Sequence, residues 1–183
     1  VIAEVELAYR YMARTPLIAI TGTNGKSTTT ALTGALCRED RRAFVGGNLG
    51  TPLCEHVLSS RPADVVIAEL SSFQLETIEQ LRPKVAAILN VTPDHLDRYG
   101  SIEDYAAAKG RIFMNQDKND FAIANARDER TVKLAKGGKA PVYTFGFGPG
   151  GKQSARDDSE SISLTLKGAP ELYRLQNRAL RCK

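Results

Sequence analysis

Cysteine and long apolar runs are scarce in this sequence of 183 residues. The three cysteines, Cys37, Cys54 and Cys182, show no C-x-x-C spacing, which argues against a disulfide framework and a thiolate zinc site. Reduced thiols in a cytosolic protein are expected instead. No apolar run approaches the roughly 18 residues that a membrane-spanning helix needs, so no membrane association is expected. Glycine (15) and proline (8) are ordinary and aperiodic, which excludes collagen-like and low-complexity chains.

The charge is modestly basic, with 25 basic and 21 acidic residues and a net charge of +4. The basic residues are scattered, and the densest cluster, Arg38, Arg41 and Arg42, is interrupted by Glu39 and Asp40. Nucleic-acid sites concentrate basic residues on one face, so no nucleic-acid partner is expected. Length and an apolar fraction of 42% predict a single soluble globular domain.

Strand-like and helix-like segments alternate along the first 146 residues. The strand candidates are Leu17–Thr21, Ala43–Val45, Asp64–Leu70, Val85–Asn90, Phe121–Ala124 and Val142–Phe145. The helix candidates are Val1–Met12, Lys26–Arg38, Pro52–Leu58, Phe73–Leu81, Ile102–Asn115 and Asp128–Ala135. This alternation predicts an α/β fold with a mostly parallel, P-loop-type sheet and helices on both faces. Near the C-terminus, residues 161–166 alternate in polarity and predict a small antiparallel β annex.

The segment Gly22–Thr28, which lies between the first strand and the next helix, has the character of a phosphate-binding loop. Its glycines let backbone N–H groups approach phosphates, and the helix N-terminus adds a positive dipole. Lys26 is expected at the β- and γ-phosphates of a nucleotide, and Ser27 at Mg²⁺. Ile20 stands where the common G-x-x-x-x-G-K-[ST] motif has its first glycine, so this loop is shorter. The alternative is a strand–helix turn with a chance Lys-Ser pair.

Two further residues of chemical interest, Glu69 and His95, lie at or just after the ends of later strands. Glu69 ends a buried strand, where an unpaired charge is costly, so a metal ion or a cationic group is expected beside it. His95 could ligate a metal, move a proton or orient a substrate, and a purely structural role in its loop is the alternative. Ser101 is predicted to cap the helix that carries Tyr105 and Lys109. From the residues alone, Lys109 is expected to be a solvated charge on that helix.

Together these motifs resemble the Mur ligase family. The resemblance covers about residues 1–146 and rests on Ile18–Thr28, Gly46–Gly50, Glu69–Glu76, Asn90–Tyr99 and Ala107–Lys109. The segment Glu69–Glu76 is particular to family members that add D-glutamate. The resemblance implies an ATP-dependent amide-bond ligase of peptidoglycan precursor synthesis. Such an enzyme adds D-glutamate to UDP-N-acetylmuramoyl-L-alanine through an acyl phosphate, and is expected to be a monomer in the bacterial cytoplasm.

The resemblance also implies roles for individual residues. The ATP phosphates would be bound by Gly22, Thr23, Asn24, Gly25, Lys26, Ser27 and Thr28. Two Mg²⁺ sites are implied, the first at Ser27 and the second at Glu69 and His95, with a carbamylated Lys109 beside the second. Lys26, His95 and Lys109 would be the catalytic residues. The muramoyl-alanine substrate would be contacted by Asn48, Ser71 and Gln74.

The resemblance further implies a domain organisation. Residues 1–13 would link to a missing N-terminal domain, and residues 14–183 would form the central ATP-binding domain, with a truncated or divergent C-terminal end. Three alternatives remain: a sister Mur ligase or a folylpolyglutamate synthase-like ligase, a P-loop nucleotide-binding module without ligase activity, and a truncated module that binds nucleotide weakly. Ser27 directly after Lys26 argues against the folylpolyglutamate synthases, which typically have Gly-Lys-Gly-Ser there.

Overall fold

The structure, a computed structural model, describes residues 1–12, 15–48, 50–146, 155–157, 161–164 and 173–176. Its helices are α1 (Glu4–Tyr11), α2 (Lys26–Cys37), α3 (Leu53–Leu58), α4 (Ser72–Glu76), α5 (Leu96–Tyr99), α6 (Ile102–Gly110) and α7 (Glu129–Lys136), with a 3₁₀ turn at Arg111–Phe113. Its strands are β1 (Leu17–Thr21), β2 (Ala43–Gly47), β3 (Val65–Glu69), β4 (Val85–Ile88), β5 (Phe121–Asn125), β6 (Val142–Phe145), β7 (Ala155–Asp157), β8 (Ser161–Leu164) and β9 (Tyr173–Gln176).

The first six strands form one parallel sheet in the order β2-β3-β1-β4-β5-β6. The continuous apolar run of β1 suits its place at the centre, where both faces are covered. The last three strands form an antiparallel sheet. The predicted α/β fold and the antiparallel annex are therefore confirmed. The end of the predicted annex strand, residues 165–166, lies outside the described residues.

Helices cover the two faces of the parallel sheet unequally. Helices α1, α3, α4, α6 and α7 contribute to the main core on one face. The strand residues in this core are Leu17, Ala19, Val66, Ala68, Ala86, Ile88, Ala122 and Ala124. Helix α2 packs on the other face, over a smaller core of Ile20, Val65, Ile67 and Ala87. In the part of the chain that the structure describes, no helix is long and apolar enough to cross a bilayer.

The prediction of a helix over Phe73–Leu81 is wrong beyond Glu76, where α4 ends. The reason is a contact that is distant in sequence. The backbone N–H groups of residues 79–81 donate to the carboxylate of Glu6 in α1, at 2.9–3.1 Å. These N–H groups are therefore unavailable for the i→i−4 bonds that would extend the helix.

The predicted helix Ile102–Asn115 is also shorter than expected. Helix α6 ends at Gly110 and continues as the 3₁₀ turn. Its predicted N-cap is confirmed, because the Ser101 side chain accepts a hydrogen bond from the N–H of Asp104. Helix α5 was not predicted. The six strands of the parallel sheet agree with the predicted segments to within two residues at each end.

Glu6 is one of the side chains that fix α1 to the rest of the molecule. Its carboxylate is fully buried, accepts the three N–H groups of residues 79–81, and lies 2.8 Å from Nε of Arg10. Burial alone raises the pKa of this carboxyl group, but the bonds from Arg10 and the three N–H groups outweigh burial and hold the pKa below its ordinary value. The ionised form is therefore the one that stabilises the fold.

Replacement of Glu6 by glutamine should lower the free energy of unfolding by about 1.5–3 kcal/mol, since hydrogen bonds to a charged group are lost. Chemical denaturation at neutral pH measures the loss, and Glu39→Gln, at an exposed position, is the matched control. Because the folded-state pKa of Glu6 is depressed, its contribution is present above the unfolded-state pKa and is lost as the pH falls through the folded-state value. A difference between the two proteins that stays constant into acid would contradict this assignment.

Candidate active site

The segment Gly22–Gly25 connects the end of β1 to the start of α2 at the carboxyl edge of the sheet. Gly25 precedes the helix at φ +82°, and Gly22 has φ +153°, both in the region that favours glycine. A Cβ at Gly22 would lie 3.1 Å from Cβ of Leu89, so the loop packs closely against the chain that leaves β4. The loop therefore needs glycine both for its backbone conformation and, at Gly22, for its close contact with Leu89.

Lys26 begins α2 and folds back over the loop. Its Nζ donates to the carbonyl oxygen of Thr23 at 2.8 Å. Ser27 and Thr28, in the first turn of the helix, are exposed. The first N–H groups of α2 receive no side-chain cap, so the helix offers its positive end together with a lysine and two hydroxyl groups. This arrangement suits an anionic ligand such as a phosphate.

Glu69 ends β3 and is buried, with 3% of its surface exposed. Its Oε1 accepts a hydrogen bond from Nδ2 of Asn48 at 3.1 Å, and its carbonyl oxygen accepts from the N–H of the same residue at 2.8 Å. No ion pair joins Glu69 to a cationic side chain of the described residues. A nearly buried carboxylate with one amide partner is well prepared to accept a cation.

Ser71 and Gln74 form a capping box at the N-terminus of α4. The Ser71 hydroxyl oxygen accepts from the N–H of Gln74 at 3.2 Å, and Gln74 Oε1 accepts from the N–H of Ser71 at 3.0 Å. The two predicted substrate contacts therefore lie side by side and fix each other. The side-chain NH₂ group of Gln74 forms no hydrogen bond with the described residues and is the donor that remains for a ligand.

His95 lies in the segment between β4 and α5 in a left-handed conformation, with φ 51°. Its N–H donates to Oδ1 of Asp94 at 2.9 Å. Its exposed imidazole lies beside two aromatic rings, with centroids 5.1 Å from Phe73 and 6.1 Å from Tyr105. No hydrogen bond between His95 and Glu69 occurs within the described ranges.

The expectation that Lys109 is a solvated charge is wrong, because only 1% of its surface is exposed. Its Nζ donates to the carbonyl oxygen of Gly22 at 3.0 Å and lies 4.4 Å from the ring centroid of Tyr105. Burial, and secondly the nearby charge of Lys26, lower the pKa of Lys109 to about 8. The neutral fraction of this amine near physiological pH is therefore larger than that of an ordinary lysine, although the protonated form remains the major one. A neutral amine is a nucleophile, which an ordinary lysine is not.

Oxygen atoms are the donors that this site offers to a cation such as Mg²⁺. No group of three or more His, Cys, Asp or Glu side chains that could hold a metal occurs among the residues that the structure describes. Mg²⁺ seldom uses such a cage. It is usually bound through one or two protein oxygens, several waters and phosphate oxygens of a nucleotide. The Glu69 carboxylate and the Ser27 hydroxyl, near a loop that suits phosphates, are ligands of that kind.

The structure brings several predicted residues into contact, namely Lys109 with the phosphate loop, Asn48 with Glu69, and Ser71 with Gln74. Two contacts were missed. Arg111 donates to the carbonyl oxygens of Leu75 and Ile78, both at 2.7 Å, and so ties α4 and the residues after it to the 3₁₀ turn that follows α6. Asn90 bonds to the phosphate loop. Neither residue carries a sequence signal for these contacts, since each bond reaches a backbone group far away in the chain.

Comparison with known proteins agrees with this geometry. Residues 20–174 match the Mur ligase middle domain family. The chain belongs to the Mur ligase family. It is 57% identical to the UDP-N-acetylmuramoylalanine--D-glutamate ligase of Anaeromyxobacter dehalogenans (strain 2CP-C), over 97% of this chain and 40% of that protein. It is 52% identical to the ligase of the same name from Myxococcus xanthus (strain DK1622), over the same shares.

The Mur ligase chain thus spans about 40% of the length of these curated relatives. Among solved structures, it is similar to the MurF ligase from Thermotoga maritima in complex with ADP. The TM-score is 0.71 at 20% identity, over 94% of this chain and 43% of that one. It is also similar to the E. coli FolC in complex with DHPP and ADP, with a TM-score of 0.63 at 15% identity, over 90% and 50%. At these identities the likeness shows the fold alone.

Lys109 of this Mur ligase domain should titrate with a midpoint near pH 8 in the metal-free protein, well below its ordinary value of 10.5. NMR of ¹³Cε-labelled lysine measures the midpoint, and Lys109→Met assigns the signal by removing it. In Lys26→Ala the midpoint should rise, because the repulsion from the Lys26 charge is gone. A Lys109 signal that titrates with the exposed lysines would contradict the buried environment.

Proposed function

We propose that this chain is the central ATP-binding domain of a ligase that joins D-glutamate to UDP-N-acetylmuramoyl-L-alanine in peptidoglycan precursor synthesis. Residues 14–183 would form that domain and residues 1–13 the link to a preceding one. The complete enzyme would be a monomer in the bacterial cytoplasm. Its carboxylate substrate would be activated as an acyl phosphate, which the amine of D-glutamate then attacks.

The observation that carries this proposal is the contact of buried Lys109 with the phosphate loop. A loop with Lys26 at a helix N-terminus supports nucleotide binding in general. A second, buried lysine with a pKa near 8 also contacts this loop, at the carbonyl oxygen of Gly22. It supports a site in which the charge of an amine is changed chemically, as the resemblance to the Mur ligases implies.

The choice of D-glutamate is supported by the relatives. The proteins that are 57% and 52% identical over nearly the whole chain are both named for D-glutamate ligation. The segment Glu69–Glu76, which carries the capping box at the start of α4, is the part of this chain that the resemblance implies is particular to family members that add D-glutamate. ADP in two structural neighbours with the same fold supports a nucleotide at the loop.

The residues of this chain divide the chemistry among them. Lys26 and the first N–H groups of α2 would hold the ATP phosphates, and Ser27 and Glu69 would hold two Mg²⁺ ions together with His95. Mg²⁺, when bound, offsets the repulsion between ATP and the substrate carboxylate. Asn48 keeps the Glu69 carboxylate in place. The Gln74 amide would contact the muramoyl-alanine group beside Ser71 and Asn48.

Lys109 would serve as an anion instead of a cation. Its neutral amine would attack the carbon of CO₂, forming an N–C bond as the π bond of one C=O opens onto its oxygen and an amine proton leaves to solvent. The resulting carbamate would attract a nearby Mg²⁺, whereas the protonated lysine would repel it. The lowered pKa of Lys109 favours this step, because the unprotonated amine is the reactive form.

A chimeric enzyme tests the proposed reaction. The matched segment of the Anaeromyxobacter dehalogenans ligase is replaced by residues 1–183, and product is measured with UDP-N-acetylmuramoyl-L-alanine, MgATP and either D-glutamate or another amino acid. We expect product when the amino acid is D-glutamate and none when it is another amino acid. The 183-residue chain by itself should bind MgATP without ligating, since positioning of three reactants is worth roughly 7–11 kcal/mol of a barrier. A folded, nucleotide-binding chimera that leaves D-glutamate unused would contradict the proposal.

Lys26→Ala should weaken MgATP binding to this chain roughly a hundredfold or more, because charge-assisted bonds to the phosphates are lost. Calorimetry measures the affinity. The matched control is Lys118→Ala, an exposed lysine that precedes β5 at the opposite edge of the sheet. Equal affinities of the two variants would remove the phosphate-loop assignment.

A further inference from the structure

Asn90 follows β4 by two residues and meets the phosphate loop from the side. Strands β1 and β4 pair in parallel, with Thr21 opposite Ile88, so the two segments that leave them run next to each other. The Asn90 side chain engages both backbone groups of Asn24. Its Nδ2 donates to the Asn24 carbonyl oxygen at 3.0 Å, and its Oδ1 accepts from the Asn24 N–H at 2.8 Å.

Three further bonds join the same two segments. The N–H of Thr23 donates to the carbonyl oxygen of Asn90 at 3.0 Å. The Thr23 hydroxyl donates to the carbonyl oxygen of Thr92 at 3.2 Å and accepts from the N–H of Thr92 at 3.1 Å. Consecutive residues of the loop are therefore held by side-chain and backbone groups alike. The five bonds together leave the backbone of Thr23 and Asn24 little freedom to rotate.

The segment that holds the loop is itself anchored on its other side. The Asn125 side chain, at the end of β5, donates to the carbonyl oxygen of Leu89 at 3.0 Å. The Asp128 carboxylate, which also caps α7, accepts from the N–H of Val91 at 2.7 Å. Residues 89–91 are thus fixed from β5 and α7, and the loop is fixed to them. This segment therefore acts as a rigid support between the sheet and the loop.

We infer that Asn90 is a positioning residue of the phosphate loop: by bonding both groups of Asn24 it sets the direction of the next N–H groups, those of Gly25 and Lys26. The phosphate as the loop's ligand rests on the proposed function, whereas the constraint on the loop does not. Asparagine suits the place because one planar amide supplies a donor and an acceptor together. Aspartate keeps the acceptor only. The same segment continues to His95, so the loop and His95 share one support.

The test uses Asn90→Ala, Asn90→Asp and the control Asn119→Ala, an exposed asparagine that precedes β5 at the opposite edge of the sheet. Calorimetry gives the affinity for ADP with Mg²⁺, and amide hydrogen exchange by NMR gives the protection of the Asn24 N–H. Both Asn90 variants should bind ADP at least tenfold more weakly than the control. The Asn24 N–H should lose protection in Asn90→Ala and keep it in Asn90→Asp, where its acceptor remains.

The two readouts separate this inference from the proposed function. If the unaltered chain binds no ADP, the proposed function fails, and the exchange experiment alone decides whether Asn90 positions the loop. Unchanged protection of the Asn24 N–H in Asn90→Ala would overturn the inference, and so would ADP affinity within twofold of the control in either variant. Asn90→Asp keeps the size of the side chain and one of its two bonds, so a folded variant is available even where alanine unfolds the domain.

Discussion

The position of β1 at the centre of the sheet is the constraint on which the site depends. In the strand order β2-β3-β1-β4-β5-β6, the chain moves to one side of β1 first and to the other side afterwards. The carboxyl end of β1 is therefore the point where neighbouring connections diverge and leave a crevice. Backbone pairing with β3 on one side and β4 on the other places three segments there together, those that start at Gly22, Leu70 and Leu89. Each of these segments supplies part of the candidate site.

Three of the buried charged groups among the described residues, Glu6, Lys109 and Glu69, are compensated in different ways. The Glu6 carboxylate has three backbone N–H groups and Arg10, so it is saturated and structural. The Lys109 amine has one carbonyl acceptor and gives up part of its charge through a lowered pKa. The Glu69 carboxylate has the amide of Asn48. Buried ionisable groups that remain incompletely paired cluster at functional sites, and these two lie at the carboxyl edge of the sheet.

The predictable part of this structure is the part that local pattern controls. The apolar run of β1, the glycines of the loop and the Ser101 cap are encoded in neighbouring residues, and each was found where it was predicted. The end of α4 was not predictable, because it depends on Glu6, which is more than 70 residues away. Nor was the burial of Lys109, since the helix pattern alone does not show which element covers it.

For the same reason, the roles of single residues at the site are less accessible from sequence than the fold. Asn90 and Arg111 act on backbone atoms of other segments, and a backbone atom has no sequence signature. The resemblance to a family supplies the residue types at the site. The distances between them, such as that from Lys109 to Gly22, come only from the folded chain.

The attachment of α1 has a mechanical consequence. Val5, Ala8 and Met12 lie in the main core, Glu6 holds residues 79–81, and Glu4 accepts the N–H of Cys54. Helix and sheet therefore form one rigid body, and no hinge can operate between them without exposing apolar surface and a buried carboxylate. A displacement of the chain ahead of Glu4 would be transmitted through α1 and Glu6 to residues 79–81, which follow the end of α4. A domain attached there would pivot at the residues before Glu4, while α1 moves together with the sheet and with the helix that carries Gln74.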